Sequence, residues 1–309
     1  MDLHSGLPYW IIRNSLWDYF HPLEKDLSTD VVIVGSGITG ALMAHELCHA
    51  GIKCCIVDKR SIATGSSAAS TALLQYEIDV PLCRMAKIIG EENAATAYHA
   101  CLQSISDIKR VLEETGVNAG FEQLPSLFYA SSAADNKLLE QEHEIRQKHK
   151  LPVNLLEKKK IREEYKVKTP GNALINEASA QMDAYRAATG LLAYHIKESG
   201  LKVFTHTSIK ECIETSDGCI MTTDRGHKIK CGYVIIATGF EAGQFLPQKI
   251  MDLTSTYALV SHPVASEHLW PTHCLIWETA DPYLYIRTTD KNRIIVGGED
   301  EKFSDPQRR

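Results

Sequence analysis

The feature that most constrains this chain is short: Asp30-Val31-Val32-Ile33-Val34 runs straight into Gly35-Ser36-Gly37-Ile38-Thr39-Gly40. A stretch so dense in β-branched residues predicts a buried strand. The residues after Gly40, ALMAHELCHA, have helical spacing and stop at Gly51, which suits the left-handed position just past a helix C-terminus. Ile52–Val57 then predicts a second strand ending at Asp58. Strand, glycine turn, helix and strand make one βαβ unit whose turn is built for a dinucleotide. Gly35 permits the tight turn, Gly37 lets backbone approach a pyrophosphate, and Gly40 lets helix and strand pack closely. Ile38 and Thr39 bring the unpaired N–H groups and positive dipole end of the helix to the phosphates. Asp58, about 20 residues past Gly35, is placed to accept hydrogen bonds from ribose hydroxyls. That acid favours FAD or NAD over NADP, whereas the adjacent cations Lys59 and Arg60 argue the other way.

The chain has 309 residues, enough for one large or two ordinary domains. Its 33 Lys and Arg against 39 Asp and Glu give a formal net charge of −6, so no nucleic-acid partner is expected. Nine cysteines with no C-x-x-C spacing fit a reducing cytoplasm, and neither metal nor redox use of them is expected. His45 and His49 stand four apart on the predicted helix, but without a third ligand they read as helix surface. No basic stretch precedes an apolar one near Met1, so no secretory leader is expected. Residues 1–27 form an arm whose aromatics, Tyr9, Trp10, Trp17, Tyr19 and Phe20, are expected to pack on the body. Pro8, Arg13, Asn14 and Asp18 make that arm too polar to cross a bilayer, and no transmembrane segment is expected.

Further along, 82–115 reads as mostly helical up to Gly116, and 121–130 as a strand pair broken at Pro125. Helices are predicted over 135–150, 158–166 and 185–199. Short strands follow at 202–205, 208–214 and 219–223, the latter two joined by an Asp217-Gly218 turn. A strand over 228–237 ends at Thr238-Gly239, and the tail is β-rich: 257–264, 274–279, 283–288 and 293–298. This order predicts an α/β chain (α+β overall), with a doubly wound Rossmann-like domain and a second, mixed or antiparallel sheet domain.

After the second strand comes GSSAASTALL (65–74), a run of small and hydroxyl residues that allows close approach of a flat ring and a diphosphate. The strand–GSGITG–helix–Asp58 unit, GSSAASTALL, the later YVIIATG and the closing YLYIRTTDKNRIIVGGEDE together resemble the D-amino-acid oxidase/glycine oxidase superfamily of FAD-dependent oxidoreductases. The resemblance runs from Ser28 onward. It implies a FAD-binding domain of the p-hydroxybenzoate-hydroxylase type over 28–120 and 183–245, and a substrate domain over 121–182 and 246–309.

Carried over by position, Gly35, Gly37 and Gly40 match the pyrophosphate loop and Asp58 the adenosine-ribose carboxylate. Ser66, Ser67, Ser70, Thr71 and Leu73 match the stretch beside pyrophosphate, ribityl chain and flavin. Ile209 matches a residue whose main chain contacts adenine; Ala237, Thr238 and Gly239 match a second turn against the dinucleotide. Asp183 and Tyr185-Arg186 match a segment that opens a returning helix and has a structural role. The implied chemistry is oxidation of a CH–NH bond of a small-molecule amine or amino acid, with hydride passed to flavin. The cofactor carries that step, so no strong general base is required and no catalytic residue is assigned. Tyr283, Tyr285 and Arg287 alternate on YLYIR and so share a strand face, where Arg287 could hold a substrate carboxylate. The resemblance also implies further residues past Arg309 that cover the flavin, so the adenine half of the site is expected to be the better supported. A non-catalytic flavoprotein fragment and an NAD-linked dehydrogenase are the alternatives.

Overall fold

The computed structural model describes residues 3–17, 19–246, 248–249 and 252–302. In chain order, α1 (Tyr9–Asn14) precedes the first βαβ unit, β1 (Leu27–Val34), α2 (Ile38–His49) and β2 (Cys54–Val57). Next come α3 (Ser66–Ala69), β3 (Leu73–Leu74), α4 (Leu82–Ile89), α5 (Glu91–Thr115) and β4 (Glu122–Tyr129). Then follow α6 (Asn136–Lys148), β5 (Asn154–Leu156), α7 (Lys158–Lys160), β6 (Ala173–Gln181) and α8 (Ala184–Glu198). The remaining strands are β7 (Lys202–Phe204), β8 (Ile209–Thr215), β9 (Gly218–Thr223), β10 (Lys228–Ile236), β11 (Ser255–Val260), β12 (Leu275–Glu278), β13 (Leu284–Thr288) and β14 (Ile294–Glu301).

Two sheets result. The first has the order β7-β2-β1-β10-β9-β8, parallel through β10 and antiparallel beyond it. Its centre is β1, whose alternate residues serve opposite faces: Val31 and Ile33 pack against Ala41 and Ala44 of α2 and Leu191 and Leu192 of α8, while Val32 and Val34 pack on Cys55, Val57, Met221 and Ile229. Burial on both faces is why the segment reads as one unbroken apolar run. The second sheet has the order β11-β14-β13-β12-β4-β6-β3, with β5 on β6; only β12 and β4 pair in parallel.

Trp10 and Ile11 of the arm are buried in the first core, with Tyr9, Trp17 and Phe20 packed against it, whereas Tyr19 is exposed. The arm's Asn14 amide donates to the Asp183 carboxylate at 2.7 Å, and that carboxylate caps α8 by accepting the Arg186 N–H at 2.9 Å. Asp183 is therefore a structural cap, as its position implied. Among the described residues no helix is long and apolar enough to cross a membrane.

Three expectations need correction. Residues 121–130 are one strand, β4, not a pair; the register shift against β6 between Leu124 and Ser126 absorbs Pro125. The 82–115 helix is two helices, because Gly90 sits at φ +88 and turns the chain. His45 is not on the surface: it is 4% exposed, and its Nδ1 lies 3.0 Å from Nε2 of His195 on α8. Burial lowers the pKa of both imidazoles.

All nine cysteines are free thiols, but Cys48 and Cys54 are in contact across the end of α2, with Sγ atoms 3.9 Å apart. The Cys54 hydrogen bond brings the Cys48 pKa down to about 7, with a smaller contribution from Ser199. Alkylation of Cys48, followed by peptide mass mapping, is expected to rise with pH around a midpoint near 7. Cys54→Ala is expected to move that midpoint up toward that of an ordinary thiol, about 8.5; an unshifted midpoint would contradict the pairing.

Candidate functional site

A cavity of about 490 Å³ lies at the carboxyl ends of β1 and β2, reached by Val34 and Val57. This is where ligands bind in open α/β sheets. Gly35 leaves β1 at φ +109, a left-handed conformation, and a Cβ there would run into the backbone carbonyl of Ala237. The turn is tied to its neighbours by Gly35 N–H to the Val57 carbonyl and Ala237 N–H to the Val34 carbonyl, both 2.8 Å. A Cβ on Gly40 would meet the Gly35 carbonyl, so Gly40 sits behind the turn and sets its packing. Gly37 is the N-cap of α2, with no side-chain cap and no acid in the first helical turn. That leaves a positive helix end facing the cavity wall of Gly35, Gly37, Ile38 and Thr39. Across from it, the Ser67 hydroxyl accepts the Ile38 N–H at 2.9 Å.

Asp58 lines the cavity, and its carboxylate already staples the turn. It accepts the Ser36 N–H at 2.7 Å, the Ser36 hydroxyl at 2.6 Å and the Arg60 N–H at 2.8 Å. Lys59 and Arg60 do not wait for a phosphate: both reach Glu241, at 2.7 and 2.8 Å. Burial would raise the Glu241 pKa, but hydrogen bonds from Arg60 and then Lys59 outweigh it and hold the carboxyl at about 2. This clamp fixes the helical turn Gly239–Phe245 to the end of β2. A depressed acid stabilises the fold above its unfolded pKa of about 4.3. That stabilisation is therefore complete above about 4.3 and is lost as pH falls toward 2. Glu241→Gln is expected to lower stability by about 2 kcal/mol at pH 7 and to flatten this acid limb in urea titrations; an unchanged limb would contradict the clamp.

The other walls follow the sequence reading closely. Ser66, Ser67, Ser70 and Thr71 form one side; Ile209, with Thr207 and Ser208, closes one end; Ala237, Thr238 and Gly239 form the floor. The Thr238 hydroxyl is buried with no partner among the described residues, a polar atom that a ligand in the cavity would satisfy. The eight-stranded sheet supplies Thr256, Ala258 and Tyr285. Tyr285 lies against Gly297 of β14, where a Cβ would strike its ring. Burial raises the Tyr285 pKa, while hydrogen bonds from Thr256 and Thr71 oppose that.

Four assigned residues stand elsewhere. Gly40 packs behind the turn, as above. Leu73 is in β3, paired with Gln181. Tyr283 stacks near Tyr285, with ring centroids 5.7 Å apart, but its hydroxyl donates to Asp79 at 2.7 Å outside the cavity. Arg287 is 2% exposed and faces a separate, smaller cavity. The sequence reading missed Ser36, Thr207, Glu241, Thr256 and Ala258. Ser36 lies inside the glycine turn itself; no motif marks the other four, which reach the site only through the fold.

FAD fits these walls on the structure's own terms: a helix N-terminus for the pyrophosphate whose cap, Gly37, carries no side chain, an acid and engaged cations where a 2′-phosphate would sit, and, among the described residues, an unpartnered hydroxyl on the floor. Comparison with known proteins agrees. The chain is 23% identical over 232 residues to the putative Rieske 2Fe-2S iron-sulfur protein YhfW of Bacillus subtilis, covering 75% of this chain and 44% of that protein. The chain thus spans less than half the length of that curated relative. Its fold matches L-proline dehydrogenase from P. horikoshii with a TM-score of 0.73 at 21% identity, over 91% of this chain and 72% of the other. It matches glycine oxidase from Geobacillus kaustophilus at 0.71 and 20%, over 90% and 73%. The family described as FAD dependent oxidoreductase (DAO) matches residues 30–309, so the chain belongs to that family and its cofactor is FAD.

Proposed function

We propose that this FAD-dependent oxidoreductase oxidises the CH–NH bond of a small amine or amino acid. The carbon–hydrogen bond beside nitrogen breaks, the hydride leaves with its electron pair, and water hydrolyses the resulting imine. Bound FAD supplies the two-electron acceptor. The observation that carries this reading is the composition of the cavity where it meets the eight-stranded sheet. Thr71, Thr256, Ala258 and Tyr285 line that end, with no carboxylate, imidazole or ammonium group among them. Such walls suit a substrate that reacts as a neutral amine and needs orientation more than proton abstraction. Tyr285, packed against Gly297, orients the substrate through its hydroxyl. These residues all line the cavity, where Asp58 would hold the ribose, Ile209 the adenine, and Gly37, Ile38 and Thr39 the pyrophosphate of bound FAD.

In this reading residues 28–120 and 183–245 form the FAD-binding domain and 121–182 and 246–309 the substrate domain, with β3 crossing to the second sheet. A cytoplasmic location is supported by nine free thiols. The test is anaerobic mixing of the FAD-loaded protein with glycine, sarcosine, D-amino acids and polyamines. Loss of the oxidised flavin spectrum with a member of one class is expected. Retention of FAD with no reduction by any class would favour the non-catalytic fragment.

A further inference from the structure

A second cavity, of about 190 Å³, lies outside the cofactor site, between the N-terminal helix and the eight-stranded sheet. Its lining includes Trp10, Arg13, Glu122, Gln181, Asp183 and Arg287. It has room for several waters or one small solute. Arg287 is almost fully buried there, and its only hydrogen bond among the described residues runs from Nη1 to the Ala72 carbonyl at 3.1 Å. Its Nε has no partner. The guanidinium rests on the Trp10 ring, 5.2 Å from the centroid.

The carboxylates around Arg287 are engaged with other groups. Asp290 is bound to Arg13 at 2.6 Å; Asp183 accepts from Asn14 and the Arg186 N–H; Glu122 accepts the Gln181 amide at 2.9 Å. Burial pulls the Arg287 pKa down to about 10, which leaves it charged at neutral pH. A buried cation without a bonded counter-ion is costly. Gln181 adds the opposite demand: its Oε1 is a buried acceptor with no donor among the described residues. A bare anion satisfies only the first of these groups and a bare amine only the second.

We propose that this cavity binds a small amino-carboxylate of glycine or alanine size, with its carboxylate on Arg287 and its ammonium toward Gln181 and Glu122. The site is distinct from the cofactor cavity but is tied to it through the 70–72 backbone. Arg287 holds the Ala72 carbonyl, and the Trp10 indole N–H holds the Ser70 carbonyl at 2.7 Å, while Ser70 and Thr71 line the cofactor cavity. The arm that supplies Trp10 and Arg13 precedes the segment matched by the family.

The proposal is tested by isothermal titration of the wild-type protein with glycine, acetate and methylamine, with and without FAD. Glycine is expected to bind in both forms, at least about tenfold more tightly than acetate or methylamine. Gln181→Met is expected to weaken glycine at least about fivefold and leave acetate unchanged; Arg287→Met is expected to remove both. Equal binding of glycine and acetate, or no heat with any of the three, would overturn the proposal whatever the fate of Arg287→Met. Because the titration without FAD reads binding in the absence of turnover, its failure is separable from failure of the proposed oxidation.

Discussion

Gly37→Val is expected to weaken FAD binding about 100-fold or more, about 2.7 kcal/mol, while the protein stays folded. Gly37 is the one glycine of the turn where a side chain interrogates the ligand rather than the fold. Its φ of −68 is ordinary for any L-residue. A Cβ there meets only the Ser67 hydroxyl, at 3.0 Å, and a serine side chain can rotate away. The cost to the fold is the Ser67 to Ile38 hydrogen bond, about 1 kcal/mol. Beyond the Cβ, however, the valine methyls project into the space before the α2 N-terminus, where the pyrophosphate must approach backbone. Gly35 and Gly40 offer no such separation, since a Cβ on either meets main chain. The measurement is FAD titration followed by flavin fluorescence, with a thermal melt as control. An affinity within about threefold of wild type would contradict the placement of the pyrophosphate.

Arg146→Met is expected to destabilise the protein by about 3–5 kcal/mol, the largest single-residue effect on the fold. Arg146 on α6 is completely buried, with Nε 2.7 Å from Glu142 and Nη1 3.1 Å from Glu77. Its guanidinium sits over Tyr76 and Tyr98, 5.5 and 5.6 Å from their centroids. Burial works against the charge, but Glu142 and then Glu77 more than offset it, and the Arg146 pKa ends above its ordinary value. Glu142 in turn accepts the N–H groups of Leu82 and Cys83 at 2.9 and 2.8 Å, and so holds the start of α4. Methionine fills the volume but leaves two buried carboxylates facing one another. Urea unfolding at pH 7 checks this. Destabilisation below about 1 kcal/mol would mean that the cluster is solvated and that its charges carry little of the fold. Burial already raises the Glu77 pKa, and without Arg146 it is expected to rise further, so the variant is expected to recover part of its deficit at acidic pH.

How much of this was legible in the chain varies by element. The first βαβ unit was readable residue by residue, because β1 is buried on both faces and each glycine answers a local geometric demand. Most of the cofactor cavity followed, since Ser66–Thr71 and Ala237–Gly239 lie just past strands of the same sheet. The strand β6, next to the β3 edge of its sheet, was invisible: ALINEASAQ is rich in alanine and polar residues, and its burial comes from β4, β5 and β3 pairing around it rather than from its own pattern. His45 looked exposed because its partner, His195, is 150 residues away. The contact between Cys48 and Cys54 was not legible because it spans a helix end. Alternation on YLYIR correctly put Tyr283 and Tyr285 side by side, but it could not show that Arg287 faces a different cavity, closed by Trp10 and Arg13 of the arm.

The central claim is that the cavity between the β1–α2 turn and the eight-stranded sheet holds FAD. Titration of the protein with FAD, NADH and NADPH in parallel tests it most directly. The structure predicts saturation at one FAD per chain, with FAD displaced by excess ADP-ribose and neither reduced nicotinamide dinucleotide competing at comparable concentration. No FAD binding, or tighter binding of NADH than of FAD, would contradict it.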